Sequence, residues 1–91
     1  MHRIHIERAI SAERQTELGI KRWPVWEKEV STFPWTYDCS ETCWLIEGEV
    51  IVTPNGGKPV TMYAGDLATF PAGMSCTWQI TAPLRKHFQF G

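Results

Sequence analysis

Polar and apolar positions alternate along most of the chain, and the intervals between turn residues are short. Residues 2–7 alternate in polarity with Ile4 and Ile6 on one face, which predicts a short strand. Ser11 can then cap a helix, with Glu13 in its first turn and Gly19 at its end. That helix is about two turns long and needs packing to persist. From Arg22 the pattern turns to β. Trp23, Val25, Trp26 and Val30 favour strands, and Pro24 suggests an edge or the start of one. Residues 33–37 form an aromatic-rich run. In the strand predicted over 42–47, Glu41, Cys43 and Leu45 share one face, and Trp44 and Ile46 share the other. Gly48 interrupts it, as a bulge would. A strand over 49–53 leads to Pro54-Asn55-Gly56-Gly57, and Asn-Gly between two β-prone runs predicts a hairpin. Further strands are expected over 60–63, 67–70, 76–80 and 85–90. Ala64-Gly65-Asp66, Pro71-Ala72-Gly73 and Ala82-Pro83 separate them. Many short strands at regular spacing read as a small sandwich or barrel.

Composition sharpens this picture modestly. Ninety-one residues make one domain, and 43% hydrophobic with 12% aromatic residues argues against disorder. The longest uninterrupted apolar run, 43–46, is far too short to span a membrane. No Lys or Arg lies between Lys28 and Lys58, whereas Asp38, Glu41, Glu47 and Glu49 do. The middle of the chain therefore lacks a phosphate-binding surface, and no nucleic-acid partner is expected. Neither is a membrane partner. Cys39, Cys43 and Cys76 are an odd number, and the first residues hold no apolar export segment. Reduced thiols and a cytoplasmic location are the expectation.

Two segments carry a specific spacing. In ETCWLIEGEV, Glu41 precedes Gly48; in GDLATFPAG, Gly65, Pro71 and Gly73 are followed by Cys76. These resemble the two motifs of the cupin superfamily. The first has two alternating His, then Glu, six residues and Gly; the second has Gly, five residues, Pro-x-Gly, two residues and His. The chain has Glu, Pro and all three Gly at matching spacing, but none of the His. Cys76 takes the second-motif His position, and Trp35 and Tyr37 take the first-motif pair (Pro34 and Thr36 if the loop is one residue longer). The stretch from Lys21 to Val50, with PLRKHF near the end, is similar to small single-domain cupins grouped with the ureidoglycine aminohydrolase cupin domain. The resemblance implies an all-β, RmlC-like double-stranded β-helix, a jelly-roll barrel. Residues 1–91 would form one domain, its barrel over about 22–90, with one short N-terminal helix.

Metal cupins, the resemblance implies, hold a divalent transition metal with three His and one Glu. Here His2, His5 and His87 are the only histidines, and none is at a motif position. No cofactor is expected. If a divalent metal is held at all, Glu41, Cys43 and Cys76 are the candidates, and their thiolates would favour zinc. Glu41, on the inward face, can serve as an acid/base or ligand-anchoring group, or as a carboxylate hydrogen-bonded to Tyr37 or backbone. Cys76 can face it as a nucleophile or simply as a small lining side chain, and Cys43 likewise. Trp35 and Tyr37 can stack on a planar ligand or fill the volume of a lost metal site. Lys86 and His87 point to opposite faces of the last strand; Lys86 shares its face with Phe88 and Phe90, and this apolar parity favours Lys86 as the partner for Glu41, the alternative being that His87 enters instead. His2 and His5 are expected at the surface.

The leading expectation is a small-molecule-binding cupin with a His-poor pocket of Trp35, Tyr37, Glu41, Cys43, Cys76 and Lys86 or His87. Alternatives are a metal-dependent, aminohydrolase-like enzyme acting on a small ureido or amino compound, and a non-catalytic dimeric interaction module. Trp44 and Ile46, with Trp23 or Trp26, would expose an apolar patch, so a homodimer is expected.

Overall fold

The computed structural model describes residues 3–91. Strand β1 (His5–Glu7) leads to helix α1 (Ala12–Leu18) and a turn of 3-10 helix (Ile20–Arg22). The rest is β: β2 (Val25–Lys28), β3 (Ser31–Thr36), β4 (Glu41–Pro54), β5 (Val60–Tyr63), β6 (Leu67–Phe70) and β7 (Ser75–Phe90). His2, where the first strand and a surface histidine are expected, lies outside the described residues. The helix is capped as its sequence predicts. Ser11 Oγ accepts from the Arg14 N–H, and Gly19 closes the helix at φ +67°. No helix among the described residues is long and apolar enough to cross a membrane.

Two long strands build both layers. The first half of β4 pairs with β6 and with the end of β7; its second half pairs with β5 and with the start of β7. The end of β7 also takes β2, and its start takes β3. One sheet therefore runs β1-β6-β4-β7-β2 and the other β5-β4-β7-β3, joined through the bent β4 and β7. This is the jelly-roll arrangement, and the fold is all-β with one short helix.

The bend has a cause in sequence. Inward positions of β4 are odd up to Leu45 (Glu41, Cys43, Leu45) and even from Val50 (Val50, Val52). A period of two can change parity only by inserting residues, and the β4–β7 ladder shifts register three times between Leu45 and Val50. Gly48 sits at this bulge with φ +100°, and a Cβ there would come 2.8 Å from Leu84 Cα. Only glycine meets both conditions.

Strand β7 departs from expectation. The two strands predicted on either side of Ala82-Pro83 are one strand, and its inward parity never changes: Cys76, Trp78, Ile80, Leu84 and Lys86 are all buried. Pro83 has no N–H to give, and it falls where the β4 ladder is already broken, between the pairs Glu47–Arg85 and Glu49–Ala82. Trp23 and Pro24 also lie outside any strand, because the 3-10 turn displaces the start of β2 to Val25.

Asp66 ties the N-terminal arm to the barrel. Its carboxylate accepts from the N–H groups of Ala9 and Tyr63 and pairs with Arg8 at 2.7 Å. Burial alone would raise its pKa; the two N–H donors and the guanidinium outweigh that and hold it below the usual aspartate value.

Candidate ligand pocket

Register decides which side chains meet inside. Opposite residues on paired strands share a face. Leu45 opposes Lys86, Cys43 opposes Phe88 and Glu41 opposes Phe90, so the inward set of β4 carries Lys86, Phe88 and Phe90 inward with it. Trp26 opposes Lys86 from the other side and joins them. On β3, Phe33 opposes Trp78 and Trp35 opposes Cys76.

These strands enclose a cavity of about 210 Å³. At its base the Lys86 ammonium donates to Glu41 Oε2 at 2.6 Å, with both residues almost wholly buried. Trp26, Phe33, Trp78 and Phe88 form walls around this pair, and Tyr37 completes them. Trp35 and Phe90 stand at the opening, 48% and 55% exposed. Lys86 Nζ lies 4.6 Å from the Trp78 ring centre and 5.0 Å from that of Trp26, within cation–π range. Trp26 and Phe33 meet edge to face, and Phe33 stacks on Trp78 at 6.4 Å. Tyr37 stacks on Phe70 at 5.1 Å, and its hydroxyl accepts from Trp78 Nε1 at 3.1 Å. Burial, and then the nearby Glu41 carboxylate, push the Tyr37 phenol well above its ordinary pKa.

The structure thus brings Trp35, Tyr37, Glu41 and Lys86 together at one cavity. The partner of Glu41 is Lys86, rather than Tyr37 or backbone. Cys43, Cys76 and His87 do not line the cavity. Cys43 is fully buried, and its short side chain packs in the barrel core. Burial pushes its thiol up to about 12, with Lys86 opposing and Glu41 adding to the rise. Cys76 is buried too, its Sγ 3.6 Å from the Trp35 carbonyl oxygen, and burial raises its pKa. Both are protonated, inert thiols near neutrality. His87 faces outward: it stacks on Trp44 at 6.1 Å, and its Nδ1 lies 2.9 Å from the Trp23 carbonyl oxygen. Trp44 and Ile46 are consequently half-buried, not the open patch expected of them. Trp44 Nε1 also donates to the Gly65 carbonyl. Trp26 packs against the core, and the large apolar residues left open include Val25, Val30 and Tyr63.

Sequence reasoning missed Trp26, Phe33, Trp78, Phe88 and Phe90 as lining residues. The even parity of β7 carried a signal for Trp78, two residues from Cys76. Trp26 could be placed only through its register with Lys86.

The donor set does not fit the transition metal that the cupin pattern implies. Among the described residues no three His, Cys, Asp or Glu side chains cluster as ligands. Glu41 is engaged by an ammonium, and the neighbouring thiols are protonated. To ligate, a thiol would have to release its proton and Glu41 its ammonium, and Glu41, Cys43 and Cys76 do not cluster as a ligand set.

The bent, double-sheet β-barrel is the fold of a cupin domain. The chain belongs to the EutQ-like cupin domain family, whose profile matches residues 15–88. It is similar to a DUF861 family protein from Thermotoga maritima, with 45% identity over 98% of this chain and 100% of that chain and a TM-score of 0.94. A DUF861 family protein of unknown function from Pseudomonas syringae shares 26% identity; the match covers 74% of this chain and 29% of that one, with a TM-score of 0.67. The Clostridium difficile EutQ protein shares the fold, at 19% identity over 98% of this chain and 68% of that one, with a TM-score of 0.68. Among curated proteins no match to the chain is found.

Proposed function

We propose that the protein binds a small molecule in the cavity between its sheets. One observation carries this reading: seven aromatic side chains surround a buried ion pair and still leave about 210 Å³ open to the barrel mouth. A purely structural core would close that volume, since interiors pack to the density of organic crystals. Ligand sites favour such mouths, with apolar walls and a few convergent polar groups. The aminohydrolase-like reading would need a metal on Glu41, Cys43 and Cys76, which do not cluster as a ligand set among the described residues, and Glu41 is already paired with Lys86. We propose further that a second copy of the chain covers the free edge of β2, beside the exposed Val25 and Val30.

Three of the five tryptophans (Trp26, Trp35 and Trp78) line the cavity, whereas Trp23 and Trp44 lie elsewhere. A fragment library screened by thermal shift and by indole N–H resonances therefore tests the proposal. A true ligand raises the melting temperature and moves the resonances of the lining tryptophans while leaving Trp44 in place. At 100-fold excess over its Kd it stabilises by about 2.7 kcal/mol. A library that neither stabilises the protein nor moves those three indoles refutes the pocket.

A further inference from the structure

The chemistry of the cavity selects among ligands, an inference that rests on the binding role proposed above. Glu41 and Lys86 are 2.6 Å apart and sum to no net charge. An ion entering the cavity would lose its water and find no unspent counter-charge. The Lys86 ammonium also already stands over the faces of Trp78 and Trp26, where an aromatic cage would hold a ligand cation. The cage is filled from within.

Hydrogen-bonding capacity at the base is not exhausted. An ammonium has three donors, and a carboxylate has two acceptor oxygens. Among the described residues, the bond from Lys86 Nζ to Glu41 Oε2 is the sole hydrogen bond that either side chain makes. No enclosed side-chain N or O among them lacks a partner, so the unbonded Glu41 Oε1 is open to the cavity. A matching guest presents a donor to Oε1 beside an acceptor for Nζ. The Tyr37 hydroxyl accepts from Trp78 and donates to no described residue. An apolar cavity of about 150 Å³ admits benzene, so 210 Å³ has room for one substituted six-membered ring. Aromatic walls favour a flat one.

We propose that the ligand is a neutral, flat ring with a lactam or amide edge. Its N–H donates to Glu41, and its C=O accepts from Lys86. Four probes of similar size test this: 2-pyridone (N–H beside C=O), benzoate, benzylammonium and toluene. Each is titrated into ¹⁵N-labelled protein, with Kd taken from the Trp26 and Trp78 indole shifts. The expected result is that 2-pyridone binds at least about tenfold more tightly than toluene or either ion. In Glu41→Gln, which leaves the Lys86 charge unbalanced, benzoate overtakes 2-pyridone. In Lys86→Met, benzylammonium does. Toluene or an ion matching 2-pyridone on the unmodified protein overturns the ligand class and leaves the pocket standing. No indole shift with any of the four removes the pocket reading as well. Where a variant does not fold, the order on the unmodified protein decides alone.

Discussion

Breaking the Glu41–Lys86 pair from one side should cost far more stability than removing it whole. At 2.6 Å, two unit charges attract by about 6 kcal/mol at an effective dielectric of about 20. Desolvating both ions consumes most of that, so the intact pair contributes little net stability. The side chains are only 7% and 4% exposed, so a lone survivor cannot recover its hydration. Removing one partner of such a pair costs about 3–5 kcal/mol. Glu41→Gln should fall at the lower end, because the amide oxygen still accepts from Nζ and the ammonium keeps its contacts with Trp78 and Trp26, worth about 0.5–2 kcal/mol. A loss of about 3 kcal/mol lowers the melting temperature by roughly 12–24 °C in a domain of this size. Lys86→Met strands a carboxylate that can be relieved by taking up a proton. Its folded pKa then exceeds its unfolded one, and the loss grows as pH rises. The double variant Glu41→Gln/Lys86→Met removes both charges and should lose less than either single variant. Urea unfolding of all four proteins, followed by far-ultraviolet circular dichroism, closes the cycle. If the double variant loses the sum of the two single losses, the charges are uncoupled and the reasoning fails.

Gly48→Ala should destabilise by about 2–5 kcal/mol, from the positive φ together with the clash against the Pro83–Leu84 backbone; a thermal melt within a few degrees of the parent would show that the bulge can relax. Asp66 has a lowered folded pKa, so its contribution is full above the unfolded value of about 3.9 and is lost as pH falls through the folded value. The acid limb of the stability–pH profile should therefore flatten in Asp66→Asn, and an unchanged limb would assign acid unfolding to other groups. Light scattering at micromolar concentration should report about twice the 10.4 kDa chain mass, and a monomer peak would refute pairing through β2.

Features set by local chemistry were legible before the structure. The Ser11 and Gly19 caps, the shared face of Glu41, Cys43 and Leu45 and the bulge at Gly48 follow from a few neighbouring residues each. Features set by register were not. Apolar parity with Phe88 and Phe90 leaned toward Lys86, but what fixes Lys86 rather than His87 inward is the pairing of Leu45 with Lys86, a contact between distant segments. Trp26 reaches the cavity for the same reason. Pro83 was misleading because its ordinary meaning, an interrupted strand, assumes an intact ladder opposite it. The bulge in β4 had already opened that ladder. Cys43 and Cys76 have the parity of pocket residues but not the reach; the aromatic side chains beside them occupy the lining.

The same distinction explains how a cupin motif can persist without its metal ligands. In the family pattern the motif glutamate serves a divalent cation together with three histidines. By the motif spacing those histidine positions fall on Cys76 and on Trp35 and Tyr37 (Pro34 and Thr36 for a loop one residue longer), and the glutamate, Glu41, is kept. A carboxylate this deep in an aromatic pocket needs a positive charge beside it. Lys86 supplies that charge from β7, on a covalent tether, at hydrogen-bond distance. The arrangement is then coherent: a fixed organic cation stands where the pattern has an exchangeable one, aromatic side chains stand at two of the three histidine positions, and Trp26 and Trp78 hold the ammonium against their faces. The charge at the base stays balanced. On the binding role proposed above, what changes is the guest: a site without an open coordination position would recognise a molecule by its hydrogen-bonding edge and its flat faces instead of by ligation.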